Sequence, residues 1–329
     1  MTTLHRLKIS PPLINSSCAW ASDEKQLKEL YSCEYTGAVT TRTATLQGFA
    51  ENPSIHTVAF SASSISSVNS YGYSPHPLSQ YLSWIEGLLQ PSNPKPIIIS
   101  ITSSKPAELD EMVSAIQQFR SKIGDNQGDS SRIGLELNTS CPNINYAPPP
   151  AYNPESLLPL LRILGKAYQL DRTLSIGLKL PPYTYSTQFA EILRVVEGLS
   201  FDAGGARHNP ISFLTCTNTL GSSLLFAEQT PSSQADQDTS PFALPTPLGG
   251  LAGEALHALA LGNVYTFSNL LSKSTDPALK QISIVGVGGV TSPEAAERMK
   301  KAGAKVVACA TLLGREGVAA FKTISPNTP

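Results

Sequence analysis

Short apolar runs alternate with longer stretches of helical spacing along most of this chain. The runs Pro12–Ser17, Ala38–Arg42, Pro96–Thr102, Arg132–Thr139, Thr173–Leu180, Ile211–Thr219, Ile282–Val290 and Lys305–Thr311 are short and apolar enough for buried strands. Most are followed by helix-compatible stretches: Asp23–Tyr31, Pro106–Ile123, Pro154–Tyr168, Thr187–Leu199, Gly253–Leu271 and Ser292–Lys301. Ser292-Pro293-Glu294-Ala295 reads as an N-cap followed by proline at the first helical position. Eight runs in this rhythm predict an α/β fold, a (β/α)8 TIM barrel with one core and a single domain over residues 1–329. Two segments break the rhythm. Ser61–Pro77 is rich in Ser, Tyr, Gly and Pro, and Glu228–Pro247 in Ser, Gln, Asp, Thr and Pro. Both are expected as loops over the barrel mouth, the second with a disordered tip.

Polar chemistry gathers where these runs end. Asn138-Thr139-Ser140-Cys141-Pro142-Asn143 follows Ile133-Gly134-Leu135-Glu136-Leu137. Pro142 stops a ladder there, and a thiol flanked by amides can act as a base beside a planar polar ligand. Lys179 interrupts another apolar run, and lysine is seldom buried without a partner. It suits either a Schiff-base nucleophile or a cation facing developing negative charge. Arg42 ends the second run; its fork suits a ligand carboxylate or an internal salt bridge. Asn69, Asn138, Asn143 and Asn218 would line a small ligand with alternating donors and acceptors.

In a barrel, phosphate commonly sits in the loops after strands seven and eight. Gly286-Val287-Gly288-Gly289 and Ala308-Cys309-Ala310-Thr311 fall there, small enough for backbone N–H groups to approach phosphate oxygens. Neither has the spacing of a Walker or dinucleotide loop, so ATP and NAD are not implied.

Composition narrows the partners. A net charge of −1 and a pI near 6.5 give no general attraction to nucleic acid or anionic lipid. No apolar run approaches the roughly 18 residues of a membrane span, and the first residues lack an apolar signal core. A cytoplasmic protein is expected. The five cysteines are widely spaced, without CxxC or a Cys/His cluster, so neither a disulfide framework nor a metal site is expected. Cys216 and Cys309 read as small buried hydrophobes; Cys141 does not.

Together the motifs resemble the dihydroorotate dehydrogenases, in particular the soluble class 1A enzymes. The family's Asn-Leu-Ser-Cys-Pro-Asn appears as Asn138–Asn143 with Thr139 changed. Its Ser-Ile-Asn-Ser-x-Gly loop appears as Ser67–Gly72, and its Gly-Val-Lys-Leu-Pro-Pro-Tyr as Gly177–Tyr183. Weaker echoes are Asn15-Ser16-Ser17, Asn218-Thr219-Leu220-Gly221, Leu248–Gly253, Gly286–Gly289 and Arg315-Glu316-Gly317. The resemblance implies FMN on the barrel mouth with a pyrimidine carboxylate stacked on it. Cys141 would take the C5 proton of dihydroorotate while the C6 hydride passes to flavin N5, with Lys179 near N1/O2. Asn69, Asn138, Asn143, Asn218, Thr219 and Arg42 would meet substrate. Ser16, Ser17, Arg42, Asn138, Lys179, Gly249, Gly250, Gly288, Gly289, Ala310 and Thr311 would meet the cofactor. A soluble acceptor such as fumarate and a homodimer are implied in the same way.

The chain departs from the family in places. Arg42 stands where class 1A enzymes carry lysine, and Asn145–Pro149 replaces the family's Pro-Gly-Lys-Pro-Gln. Tyr73-Ser74 replaces Leu-Pro, and Ala310 replaces a glycine. The alternatives are a paralogue with the same flavin chemistry on another cyclic or unsaturated substrate, a Schiff-base aldolase using Lys179, and a flavin-binding module without turnover. A tRNA-acting flavin reductase would need a basic segment, which this chain lacks.

Overall fold

A computed structural model describes residues 1–90, 93–140, 149–231 and 240–325. Eight parallel strands form its centre: β1 (Leu13–Asn15), β2 (Val39–Thr40), β3 (Ile97–Ile101), β4 (Ile133–Asn138), β5 (Ser175–Leu180), β6 (Ile211–Cys216), β7 (Ser283–Val287) and β8 (Val306–Cys309). They hydrogen-bond in the order β1-β8-β7-β6-β5-β4-β3-β2, and a bridge between Ile14 and Ala38 joins the two ends. This is the expected (β/α)8 barrel.

Helices α1 (Glu24–Ser32), α2 (Leu78–Leu88), α3 (Pro106–Lys122), α4 (Leu158–Leu170), α5 (Ser186–Glu197), α6 (His257–Lys273), α7 (Pro293–Ala302), α8 (Thr311–Glu316) and α9 (Ala319–Ile324) pack around it. Their ends follow local chemistry. The Asp23 carboxylate accepts the Gln26 N–H at 2.8 Å, capping α1. Ser292 Oγ accepts the Ala295 N–H at 3.2 Å with Pro293 at N1, as expected for α7. The sequence reading assigns no helix between β2 and β3. There α2 buries Leu78, Tyr81, Ile85 and Leu88, a 3–4–3 spacing that places them on one face.

The strands bury two separate apolar surfaces. Leu135, Leu137, Ile176 and Leu178 point outward into the layer shared with the helices. Ile14, Ile98, Phe213, Val285 and Val306 point inward. A hairpin of Thr2–Leu4 and Leu7–Ile9 closes the amino-terminal end of the barrel, adding Leu4, Leu7 and Ile9 to the inner cluster. Two glycines make this filling possible. A Cβ on Gly134 would lie 2.6 Å from Leu7, and one on Gly177 would lie 2.1 Å from the Phe213 ring.

At the other end, Ser61–Pro77 is not the simple loop the sequence suggests. Ser66–Asn69 forms a strand in a four-stranded antiparallel cap, between Val58–Phe60 and Leu248–Gly253, with Leu220–Leu224 at the far edge. Its Ser and Gly content had hidden the strand because the cap buries only a small cluster of Ala59, Val68 and Leu244. The expectation for the tip of Glu228–Pro247 falls on residues 232–239, outside the described residues.

Gly177→Ala is expected to destabilise the protein by about 1–3 kcal/mol in urea unfolding, since a methyl there collides with a fully buried ring. Adding Phe213→Leu should recover part of the loss. A single variant as stable as wild type would show that the barrel interior tolerates the methyl.

Candidate active site

The carboxyl ends of the strands converge on a cavity of about 990 Å³, measured with its open mouth. Ser16 and Ser17 after β1, Arg42 and Thr43 after β2, Asn138 in β4 and Lys179 in β5 line one part of it. Thr217, Asn218 and Thr219 after β6, Gly288 and Gly289 after β7, and Ala310 and Thr311 after β8 line the rest, with Asn69 from the cap above. Most residues expected at a site are therefore brought together. Gly249 and Gly250 are the exceptions among the described residues: they lie on the same cap strand as the lining residues Ala252 and Gly253 but do not line the cavity. Cys141 and Asn143 lie outside the described residues.

Lys179 is 4 % exposed. Its Nζ donates to Ser16 Oγ at 3.0 Å and to the Ser17 carbonyl at 2.9 Å, which ties β5 to the end of β1 across the barrel mouth. Its backbone carbonyl accepts from Thr139 Oγ1 at 2.6 Å and from Ser140 Oγ at 3.3 Å. The segment leading to Cys141 is thus held against β5.

The amides bind one another as much as they line space. Asn218 Nδ2 donates to Asn138 Oδ1 at 3.1 Å and to the Ser140 carbonyl at 3.0 Å. Asn138 Nδ2 donates to Thr43 Oγ1 at 3.0 Å. Asn69 Nδ2 donates to the Gly250 carbonyl at 3.1 Å, fixing the cap strands to each other. These hydrogen bonds set the orientation of each amide at the cavity.

Arg42 realises the salt bridge that its sequence position leaves open. Its Nη2 meets Glu51 Oε1 at 2.5 Å and donates to the Gly72 carbonyl at 3.2 Å; Nη1 donates to Ser22 Oγ at 3.2 Å. The guanidinium also sits 5.4 Å from the centre of the Tyr71 ring. The carboxylate it holds is the chain's own.

Four positions escape the sequence reading. Glu136 is 3 % exposed inside the barrel, one strand from Lys179. Burial raises its pKa, opposed by the field of Lys179 and by hydrogen bonds from Thr215 and Ser100. A carboxyl inside an apolar strand is the same anomaly that marks Lys179, so the signal was present. Thr43 lines the cavity one residue past the run Ala38–Arg42, where no motif marks it. Thr217 Oγ1 is buried on the cavity wall without a hydrogen-bond partner, which no pattern in the sequence foretells. Trp20 also lines the cavity, against which Gly314 packs too tightly for any side chain.

Cys216 and Cys309 are buried, as expected, and burial pushes the Cys309 thiol up to about 12. Burial raises the Cys216 thiol as well. No group of His, Cys, Asp or Glu among the described residues could hold a metal ion, and no described helix is long and apolar enough to cross a membrane.

A barrel whose rim carries a buried lysine, amides and two small-residue loops is shared widely, and comparison with known proteins decides among its owners. The family model described as dihydroorotate dehydrogenase matches residues 1–328. The chain belongs to the dihydroorotate dehydrogenase family. It is therefore an oxidoreductase, and enzymes of this family depend on a flavin. Relatives named dihydroorotate dehydrogenase A (fumarate) run along nearly its whole length. One from Streptococcus pyogenes serotype M18 is 27% identical over 316 residues, 95% of this chain and 86% of its own. One from Streptococcus equi subsp. equi is 28% identical over 315 residues, with the same shares. One from Streptococcus agalactiae serotype Ia is 26% identical over 314 residues, 95% of this chain and 87% of its own.

Replacing Arg42 and Glu51 by methionine, singly and together, is expected to give a coupling free energy of about 1–3 kcal/mol in urea unfolding. Strict additivity would mean that the pair does not hold the mouth together.

Proposed function

We propose that this dihydroorotate dehydrogenase family member uses FMN to oxidise dihydroorotate to orotate, passing the electrons to a soluble acceptor such as fumarate. The observation that carries the reading is a single cavity lined both by Lys179 and by the small-residue loops after β7 and β8. The residues present fit the cofactor. Thr217 offers a buried hydroxyl lacking a protein partner, and α8 begins at Thr311 without a side-chain cap. Apolar contacts from Trp20, Leu256 and Val287 complete a surface suited to a flat ring with polar edges.

When bound, the flavin supplies a two-electron acceptor for the substrate hydride. Lys179 contributes fixed positive charge where negative charge develops on reduction; its hydrogen bonds to the β1 end keep it in place. Ser16, Ser17, Gly288, Gly289, Ala310 and Thr311 bind the cofactor, while Gly249 and Gly250 act through the cap strand that positions Asn69. Asn69, Asn138, Asn143, Asn218 and Thr219 orient the substrate ring. Cys141 takes the C5 proton. Its chain neighbour Ser140 is anchored to Lys179 and Asn218, which supports a base presented at the mouth. The loops lack the spacing of a dinucleotide fingerprint, which supports a mononucleotide cofactor. A cytoplasmic homodimer completes the reading.

The pairing of Arg42 with Glu51 favours a second reading, in which the same flavin chemistry serves another cyclic or unsaturated substrate. With its fork engaged internally, Arg42 adds little net charge for a substrate carboxylate. One sample separates the two. Purified protein is expected to show a flavin spectrum, to release FMN by mass, and to bleach anaerobically on adding dihydroorotate. Bound FMN without bleaching would favour the second reading; release of FAD would overturn the cofactor assignment.

Cys141→Ala is expected to slow flavin reduction by substrate about 10²–10⁴-fold at neutral pH, the usual contribution of a positioned base, with FMN still bound. Cys141→Ser should retain activity shifted to higher pH. Stopped-flow reduction of the alanine variant at the wild-type rate would remove Cys141 from the mechanism.

A further inference from the structure

Inside the barrel, beneath the cavity, a row of hydroxyl groups leads to one carboxyl. Ser17 and Thr43 line the cavity. Ser17 Oγ lies 3.0 Å from Thr43 Oγ1, which lies 3.0 Å from Ser100 Oγ, which lies 3.4 Å from Glu136 Oε1. The other carboxyl oxygen, Oε2, accepts from Thr215 Oγ1 at 2.6 Å. Thr43, Ser100, Thr215 and Glu136 are each at most 4 % exposed, so bulk water does not reach this row from the side. The charged group whose field reaches Glu136 is Lys179, on the neighbouring strand.

The donors and acceptors allow two consistent settings. Asn138 Nδ2 donates to Thr43 Oγ1, so that oxygen already accepts once. With Glu136 ionised, Ser17 donates to Thr43, Thr43 to Ser100, and Ser100 to the carboxylate. With Glu136 protonated, every hydroxyl turns round: Glu136 donates to Ser100, Ser100 to Thr43, and Thr43 to Ser17, whose own O–H then points elsewhere. Neither setting leaves a buried donor without an acceptor. A hydroxyl row that can be satisfied in both directions is what proton transfer along it requires.

We propose that Glu136 is a proton store for the cavity, reached through Ser17, Thr43 and Ser100. The inference rests on the redox reading above for its purpose. Oxidising a C–H/C–H pair releases a proton alongside the hydride, and reducing an unsaturated dicarboxylate takes up one of each. The acid in the cavity that has received the substrate proton passes it to Ser17 Oγ. Ser17 gives its own proton to Thr43, Thr43 to Ser100, and Ser100 to Glu136 Oε1. At Ser17, Thr43 and Ser100 one O–H bond forms as another breaks, the cavity acid loses its proton, Glu136 gains one, and no electrons change hands. The carboxylate becomes a carboxylic acid, and the reverse sequence returns the proton for the second half-reaction. Burial favours the uncharged, loaded form, and the nearby ammonium keeps the charged form accessible. Glu136 is a positioning and storage residue; it touches neither substrate nor cofactor in this assignment.

Infrared difference spectroscopy of the as-isolated protein across pH provides a test that needs no turnover. A protonated-carboxyl band that disappears in Glu136→Gln is expected, with exchange in heavy water through the hydroxyl row. Thr43→Val and Ser100→Ala cut the row at different points. Either should slow exchange of that band roughly tenfold or more, since a carboxyl without the row must wait for local opening. Two cuts keep the test usable if one variant fails to fold. In stopped-flow work, both cuts and Glu136→Gln should alter the pH dependence of flavin reduction in the same way. A band unchanged by Glu136→Gln, or wild-type exchange in a folded cut variant, overturns the proposal. Exchange that behaves as expected in a protein that ignores dihydroorotate upholds the store and moves the failure to the substrate reading.

Discussion

An ammonium cannot be left dry and unpaired at a barrel rim, so the chain must organise its mouth around Lys179. The side chain reaches across to Ser16 and Ser17, drawing the end of β1 toward β5. The carbonyl of the same residue receives Thr139 and Ser140, which fixes the exit of β4. Asn218 then closes on Asn138 and Ser140, adding the exit of β6. One buried charge thereby sets the relative positions of four strand ends. The same charge that requires these partners is the one a reduced, anionic cofactor would need, so stability and chemistry draw on a single residue.

Polarity is graded along the barrel axis. The amino-terminal end is sealed by the apolar hairpin and by Phe213 packed over Gly177. The middle layer carries Ser100, Glu136 and Thr215, and the rim carries Asn138, Lys179 and Thr217. The apolar plug lies beneath the polar layer, and the hydroxyl row from Glu136 leads up to the cavity at Ser17. A low dielectric around Glu136 and Lys179 strengthens their mutual influence beyond what two surface charges would feel.

Arg42 shows how one buried guanidinium gathers several partners. A lysine is a point charge that can turn toward a ligand. The guanidinium here is held by Glu51, Ser22, Gly72 and the Tyr71 ring at once, which joins the end of β2 to the segment over the cavity. The position has become a clasp for the mouth. Arg42 nevertheless stays on the cavity wall, so the clasp and the cavity share one side chain.

The sequence by itself determined the barrel, because buried parallel strands alternating with amphipathic helices leave a strong periodic trace, and it marked Lys179, Asn138, Asn218 and the glycine loops, because polar or small residues at strand ends break that trace. Helix α2 and the cap sheet were less legible: a short, Ser-rich strand with a small buried cluster carries almost no hydrophobic signal. Only the tertiary structure decided that Arg42 pairs with Glu51, nine residues away. It alone aligned Ser17, Thr43, Ser100 and Glu136, which come from four different strand units and share no spacing. Composition and periodicity record which face a residue presents to its own element. Hydrogen bonds between elements depend on angstrom-scale distances set by packing, and those exist only once the barrel has closed.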